Sequence, residues 1–349
     1  MLPMNYKNKD PLLLISLARI TFLSLAEKIN LLKNLDSFNN LALLSIEDIS
    51  KYVNRSIKVS SWNGKKNLLY AQKELSILEA KNIGYLAYGE ENYPALLREI
   101  PNAPFLLFYR GNVNALVSGK TVSVVGTRRI SPESKMAAQK FAYDAVNDGC
   151  TVVSGLAYGV DSAAHQGCIN AYFDILENSE KKSVGKTVAV LPCGCDTIVP
   201  SSNARLAQKI LSCGGCIVSE YVPGTPAQAW RFVQRNRIVA GLSPSTVVIQ
   251  APVGSGALLT AGFALEYNRD VLFHSSGFCE NSKKIAHSVY EDLKKKVLQN
   301  QANRSKLEST SEMFVESGAS VVDSYSDFQK CVLAPPGTHR IQMEQMTLF

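Results

Sequence analysis

A glycine-threonine-arginine loop follows one strongly apolar segment and has the composition of a phosphate-binding loop. Gly126 precedes Thr127, Arg128 and Arg129, and residues 131–133 read Ser-Pro-Glu, which is typical of the start of a helix. The amides at a helix N-terminus attract anions, and neighbouring arginines add positive charge. The loop therefore predicts an anion site.

Two further loops combine glycine with serine at the ends of predicted strands. Ser154 and Gly155 follow one apolar segment, and Gly254, Ser255 and Gly256 follow another. Small residues let backbone amides approach a phosphate closely, but tight turns without a ligand are an alternative explanation. The arginines of the first loop favour the ligand. The carboxyl ends of parallel strands share one edge of a sheet, so we expect the three loops to lie together.

The segment RFVQRNRIVAGL adds a helix rich in arginine. Phe232, Arg235, Asn236 and Arg237 provide a ring, two guanidinium groups and an amide. A guanidinium group binds phosphate bidentately, a ring can stack on an unpaired base, and the amide could read a base edge. Arg231 lies one helical turn before Arg235 and is either a further contact or a solvated surface charge.

Short apolar segments that alternate with helical ones must position these loops. The strand candidates are TVSVVG, TVVSG, KTVAVLP, CIVSE, STVVIQA and DVLFH. This alternation predicts an α/β fold with a Rossmann-like, doubly wound, mostly parallel sheet, preceded by a small helical N-terminal domain. The uncharged stretch 238–265 is broken by proline and glycine, so we predict no transmembrane segment.

Changes in composition and in the spacing of apolar residues along the chain predict its domain organisation. We expect a helical domain at 1–90, related to helix-hairpin or SAM domains but degenerate, and a connecting segment at 91–119. A Rossmann-like domain that carries the phosphate-binding loops should follow at 120–333, with a polar insert near 280–312, and then a flexible tail at 334–349. The run of lysines at 294–296 is interpreted as a solvated helix face.

Charge and cysteine content bound the function classes. The 37 Lys and Arg against 30 Asp and Glu give a net charge of +7, which allows an anionic partner but is too small for a protein that coats DNA by charge alone. No secretory signal is recognisable, so the eight cysteines are interpreted as reduced thiols of a cytoplasmic protein. The pairs at 193/195 and 213/216 could hold zinc, but a strand-end loop and a turn explain them better.

Motifs of nucleotide cofactors and catalytic sites are missing. The chain has no GxGxxG and no GxxxxGK motif, so we expect neither a dinucleotide cofactor nor ATP. Asp161 and His165 could bind a metal, but a helix cap and a core histidine are the preferred interpretation, and no metal is predicted. The rival function is a nucleotide-processing enzyme of the phosphoribohydrolase type, yet the nearest glutamate after the last glycine loop is Glu266. A pure scaffold for recombination partners is a third possibility.

Several long motifs in order resemble the DNA-processing protein A family, called DprA or Smf. They are NYPALL, PFLLFYRGN, VSVVGTRRIS, VVSGLAYGVDSAAHQG, TVAVLPCGCDTIVP, FVQRNRIVAGLS and GSGALLTAGFALE. The resemblance implies a homodimeric protein without enzymatic activity that binds single-stranded DNA. It also implies loading of the RecA recombinase onto DNA in natural transformation.

The resemblance also assigns roles to positions of this chain. The family's Gly-Ser-Arg loop falls on Gly126, Thr127 and Arg128, and its pocket on the serine, glycine, RNR and GSG residues given above. Tyr158 stands where the family usually has arginine, and residues 274–277 replace its Val-Pro-Gly. The N-terminal region also lacks the glycine hairpin of a helix-hairpin-helix DNA module.

The last five residues resemble a short motif by which bacterial DNA-handling proteins dock on the sliding clamp. They are Gln345, Met346, Thr347, Leu348 and Phe349. A disordered end can place apolar side chains in a groove while the glutamine amide binds at its rim. A chance match in a frayed tail is the alternative. We expect no winged-helix domain after the core, although many family members carry one.

If the tail is a clamp ligand, a labelled peptide of residues 342–349 binds purified sliding clamp with micromolar affinity. The substitutions Leu348→Ala and Phe349→Ala each abolish this binding, because they remove the apolar anchors. Fluorescence anisotropy titration measures both effects, and no binding at high clamp concentration would exclude the interaction.

Overall fold

The computed structural model of the chain describes residues 9–58, 61–177 and 184–333. Its α-helices are α1 Pro11–Arg19, α2 Leu25–Asn34, α3 Phe38–Leu43, α4 Ile46–Val53, α5 Gly64–Ala80, α6 Ala95–Arg98, α7 Pro132–Asn147, α8 Val160–Glu177, α9 Ala204–Ser212, α10 Ala229–Gly241, α11 Gly256–Glu266, α12 Glu280–Leu298, α13 Ser311–Glu316 and α14 Tyr325–Leu333. Its strands are β1 Gly84–Ala87, β2 Leu106–Gly111, β3 Thr121–Val125, β4 Thr151–Ser154, β5 Thr187–Val190, β6 Cys216–Ser219, β7 Ser245–Val248, β8 Asp270–His274 and β9 Ser320–Val322.

The strands of the described chain form one nine-stranded sheet. Their order is β1-β2-β6-β5-β4-β3-β7-β8-β9, and every neighbouring pair from β6 to β9 is parallel. The chain runs outward from β3 in one direction and then returns to add β7 on the other side of β3. This confirms the predicted doubly wound, mostly parallel sheet. It also creates a switch point between β3 and β7, where such sheets bind ligands.

Alternating residues of the central strands bury the two faces of the sheet against different helices. Val124 and Val152 pack with α7 and α8, whereas Val125 and Val153 pack with α10 and α11. Both faces are covered, which explains why these strands read as continuous apolar runs in the sequence. The helices on the two faces then lead into and out of the loops at the carboxyl edge.

The helical region at the N-terminus packs on the antiparallel end of the sheet. Its apolar residues share a core with Phe105, Leu106 and Phe108 around β2. β2 pairs antiparallel with β6, and β1 pairs antiparallel with β2. β1 lies within the range predicted as helical, and β2 lies within the predicted connecting segment, so the sheet begins earlier in the chain than the sequence indicates.

A helix and a short turn occupy the polar segment after β8. α12 is followed by a 3-10 turn at Arg304–Leu307 and by α13. The predicted tail, 334–349, lies outside the described residues, and with it the proposed clamp motif. None of the helices within the described ranges has the length and apolar character needed to cross a membrane.

A histidine of α8 is buried in the core and has a lowered pKa. His165 is fully buried, and its Nδ1 lies 2.7 Å from the hydroxyl of Thr187. Burial and the nearby positive charge of Arg235 lower the pKa of His165 from 6.5 to about 3. The imidazole is therefore neutral in the folded protein.

This depressed pKa predicts that His165 makes the fold sensitive to acid. The unfolded chain binds a proton at His165 below about pH 6.5 and the folded chain only near the lowered pKa, so the stability present above pH 6.5 is lost as the pH falls. Between about pH 6 and pH 4, the free energy of unfolding of wild type should fall more steeply than that of His165→Gln by about 1.4 kcal/mol per pH unit.

Urea unfolding at a series of pH values measures this difference. Glu74, whose pKa burial raises to about 7, is present in both proteins and cancels in the comparison. Parallel curves for the two proteins would contradict the prediction.

Candidate functional site

A cavity of about 760 Å³ opens at the carboxyl edge of the sheet, across the switch point between β3 and β7. The three predicted loops and α10 line it together. The predicted site residues in its wall are Gly126, Thr127, Arg128, Arg129, Gly155, Phe232, Arg235, Asn236, Gly254, Ser255 and Gly256. The structure therefore brings together loops that are far apart in the sequence.

Two predicted site residues do not line the cavity. Ser154 is fully buried and donates a hydrogen bond to the carbonyl oxygen of Val124 at 2.7 Å. Arg237 is 7% exposed and forms an ion pair with Glu220 at 2.6 Å. These positions argue for structural roles and against the DNA contacts expected from the sequence.

Arg235 lines the cavity, but its guanidinium group forms hydrogen bonds with backbone carbonyl oxygens of the protein. The residue is 4% exposed. The guanidinium donates to the carbonyl oxygen of Gly155 at 2.6 Å and to that of Val190, which joins the ends of β4 and β5. Burial lowers the pKa of Arg235, and the nearby Asp161 carboxylate opposes that shift. These contacts favour a positioning role for Arg235 over the phosphate contact expected from the sequence.

Asp161 completes this buried network. Its carboxylate accepts hydrogen bonds from the amides of Gly155 at 3.2 Å and Ala157 at 3.3 Å. It lies at the start of α8, where a negative charge is favourable. Burial nevertheless raises the pKa of Asp161, with Arg235 acting in the opposite direction. The carboxylate and the guanidinium compensate each other's charge.

The glycines of the three loops are needed for different reasons. A side chain at Gly155 would overlap the guanidinium of Arg235, and one at Gly126 would overlap the side chain of Val160. Both glycines therefore serve packing within the protein. At Gly256, by contrast, the nearest atom to an added Cβ would be the Asn236 amide nitrogen at 3.7 Å. The GSG loop is where a ligand can approach the backbone.

The N-terminus of α11 has the properties of an anion site. The helix begins at Gly256, and its N-cap Ser255 makes no side-chain capping hydrogen bond. The Ser255 hydroxyl is shielded from solvent and has no hydrogen-bond partner within the described ranges. Amides in the first turn of a helix have no intrahelical acceptor and carry partial positive charge. The Leu258 amide donates to the Ser255 carbonyl oxygen at 3.2 Å, and a phosphate oxygen placed there would accept from the other amides of the first turn.

Arg128 and Phe232 form the exposed part of the site. The Arg128 guanidinium lies 5.1 Å from the centroid of the half-buried Phe232 ring, within the range of a cation–π contact. Arg129 is also exposed, and one of its nitrogens lies 3.8 Å from a carboxylate oxygen of Asp292. These two guanidinium groups remain accessible to a ligand.

The side chains of Asn236 and Thr127 form hydrogen bonds within the protein. The Asn236 amide donates to the carbonyl oxygen of Gly256 at 3.1 Å and accepts from Arg235, so it ties α10 to α11. The Thr127 hydroxyl accepts from the amide of Arg129 at 3.1 Å. Both side chains shape the loops that a ligand would contact.

Sequence reasoning missed the part of the cavity wall contributed by the segment after β8. Asp292, Leu293 and Lys296 of α12 line the cavity, as does Lys306. The lysine run that contains Lys296 was interpreted as a solvated helix face. Its position in space could not be read from spacing, because it depends on how α12 docks against α7.

Two positions that the sequence left open have other contacts. Tyr158 is 49% exposed, and its hydroxyl accepts a hydrogen bond from Ser202, outside the cavity wall. The Arg231 guanidinium donates to the carbonyl of Pro226 and lies over the rings of Tyr221 and Trp230. Within the described ranges, no group of three or more His, Cys, Asp or Glu residues is arranged to hold a metal ion.

Comparison with known proteins identifies the family. The family model for DNA recombination-mediator protein A matches residues 84–331. Protein Smf of Synechocystis is 36% identical over 251 residues, 71% of this chain and 58% of that protein. Protein Smf of Borreliella burgdorferi is 32% identical over 76% of this chain and 80% of that protein. The matched segment thus spans less than two thirds of the Synechocystis relative.

Solved structures share the fold. The DprA structure from Streptococcus pneumoniae has a TM-score of 0.61 and 26% identity, covering 95% of this chain and 98% of that one. DprA from Helicobacter pylori, described for its single-stranded DNA binding mode, has a TM-score of 0.53 and 24% identity, covering 72% of this chain and 95% of that one. From the extent of the family match, this chain belongs to the DNA recombination-mediator protein A family, known as DprA or Smf.

Proposed function

We propose that this protein binds single-stranded DNA in the cavity at the carboxyl edge of the sheet. The main support for this proposal is the position of the Arg128 guanidinium over the Phe232 ring. The N-terminus of α11, which has no side-chain cap, lines the same cavity. A phosphate binds Arg128 and the first turn of α11. An unpaired base stacks on Phe232, which every base can do because each has a π face.

The shape of the site supports a single strand as the ligand. A volume of about 760 Å³ lies within the roughly 300–1,000 Å³ typical of ligand pockets. Phe232 lines this concave wall, and a base can reach it only when it is unstacked from its neighbours. In duplex DNA, unstacking and unpairing cost a few kcal/mol, roughly, per base. A single strand does not carry the cost of unpairing.

The carboxylates of the cavity support binding rather than catalysis. Asp161 is 6% exposed and is occupied by two backbone amides and by the charge of Arg235. Asp292 faces Arg129. Asp161 is thus held by the protein, and Asp292 lies beside a cation, whereas a phosphoribohydrolase reaction requires a carboxylate free to act as acid or base. We infer that the protein is not an enzyme.

Family membership supports the cellular role that we infer. The family is named for mediating DNA recombination, and its H. pylori member of the same fold binds single-stranded DNA. We infer that this protein acts in the cytoplasm as a homodimer and loads RecA onto single-stranded DNA during natural transformation. Docking of the C-terminal tail on the sliding clamp would bring it to sites of DNA synthesis.

The preference for single-stranded over duplex DNA tests the proposed site. A single-stranded oligonucleotide should bind about tenfold or more tightly than a duplex of the same length, because its bases are free to stack. Added salt should weaken binding steeply, since phosphate contacts release counterions with a slope of about 0.7 per contact. Fluorescence anisotropy over a salt series measures both. Equal affinity for the two forms would count against the site.

Substitution of Arg128 and of Arg235 distinguishes a residue that contacts the ligand from one that positions the loops. Arg128→Ala should weaken binding by about 1–3 kcal/mol, because it removes a charge-assisted phosphate contact, and should leave thermal unfolding unchanged. Arg235→Ala should instead lower the free energy of unfolding by about 3 kcal/mol or more, because it leaves Asp161 as an uncompensated buried charge.

Lys209 provides the matched control. It lies in the last turn of α9, which leads into β6 at the opposite edge of the sheet. Lys209→Ala removes the same unit of charge and should change neither quantity. A normal melting curve for Arg235→Ala would refute the positioning role, and unchanged DNA affinity for Arg128→Ala would show that the site is elsewhere.

A further inference from the structure

The segment after β8 is anchored to the first loop of the site. The Ser282 hydroxyl lies 3.1 Å from that of Ser131 and 3.2 Å from that of Ser134, and these contacts are buried. Asn281 donates to the carboxylate of Glu133 at 2.6 Å. The N-terminus of α12 is thereby fixed beside the N-terminus of α7, next to the arginine loop.

The other end of the segment is anchored to the GSG loop. The amide of Gly254 donates to the carbonyl oxygen of Ser309 at 3.0 Å, and the Ser311 hydroxyl donates to that of Ala251 at 2.8 Å. Gly254 has a φ of +64°, and an added Cβ would lie 3.1 Å from Leu293 and from the backbone of Lys306. The segment is therefore packed directly on the loop that leads to α11.

This position brings accessible cations to the cavity. Lys296 and Lys306 are exposed and line the cavity, and within the described ranges neither forms an ion pair within 4.0 Å. Lys283 and Lys284 lie at the other end of α12, are also exposed, and do not line it. Lys296 of α12 and Lys306 of the following 3-10 turn thus form a cavity pair, whereas Lys283 and Lys284 form a distant pair.

We propose that α12 and the turn after it form a second wall of the DNA site, in which Lys296 and Lys306 bind a phosphate next to the one held at Arg128. Asp292 lies on the same wall and faces Arg129 at 3.8 Å. Its carboxylate is a competitor that a phosphate of the entering strand displaces from Arg129. The inference rests on the proposed binding of single-stranded DNA and deepens it, because it assigns a longer strand to the site.

The test compares full-length variants by anisotropy titration with a labelled oligothymidylate over a salt series. Lys296→Ala with Lys306→Ala should weaken binding about tenfold near 0.1 M salt and lower the salt slope by about 0.7, as expected for the loss of the one phosphate that the two lysines share. Lys283→Ala with Lys284→Ala makes the same change in net charge and should alter affinity less than about twofold. Asp292→Asn should tighten binding about two- to threefold, since it removes a like charge near the phosphate.

The outcomes distinguish this inference from the proposed function. Equal weakening by the two lysine pairs would mean that only bulk charge matters, and it would overturn the second wall. No weakening by the Lys296 and Lys306 pair, with Arg128→Ala still impaired, would overturn it while the site itself stands. If wild type bound no single strand, both proposals would fall. Thermal unfolding of each variant identifies any loss that comes from misfolding.

Discussion

A buried guanidinium group holds the functional edge of this protein in place. Arg235 donates to carbonyl oxygens at the ends of two adjacent parallel strands, where the regular hydrogen-bond ladder stops. Backbone carbonyls buried without a donor are costly, so the arginine replaces the missing partners. Asp161 balances the charge and binds two amides of the same loop. The glycine at 155 follows from this arrangement, because a side chain there would displace the guanidinium.

The strands that helices cover on both faces of the sheet could be predicted from the sequence. The central strands are covered on both faces, so their apolar runs stand out, and all six candidates are strands in the parallel part of the sheet. β1, β2 and β9 were missed. β1 is only half-buried at its first two residues, and β9 has only three residues. β2 lies in a segment rich in proline and aromatic residues, and such a segment reads as a loop until the strand that it pairs with is known.

The sequence predicted which loops line the cavity, but it did not predict the contacts of each side chain in them. Strand ends with glycine and arginine located the cavity, because topology places them at one edge. Residue type could not distinguish Arg128, which is exposed, from Arg235, which is buried. Both are arginines beside glycine loops, and only the three-dimensional packing decides whether carbonyls or solvent surround them. The same limit applies to Lys296, whose neighbours come from the docking of α12.

The pairing of β3 with β7 has a consequence for synthesis. It places the loop at residue 126 beside the loop at residue 254, while three other strands and their helices intervene in the chain. A growing chain on the ribosome, which folds from its N-terminal side, cannot close this edge until β7 and α11 have emerged. Contacts between distant segments also form slowly, because a long loop must be closed first. The nascent protein thus carries its arginine loop without a completed cavity until α11 has been made.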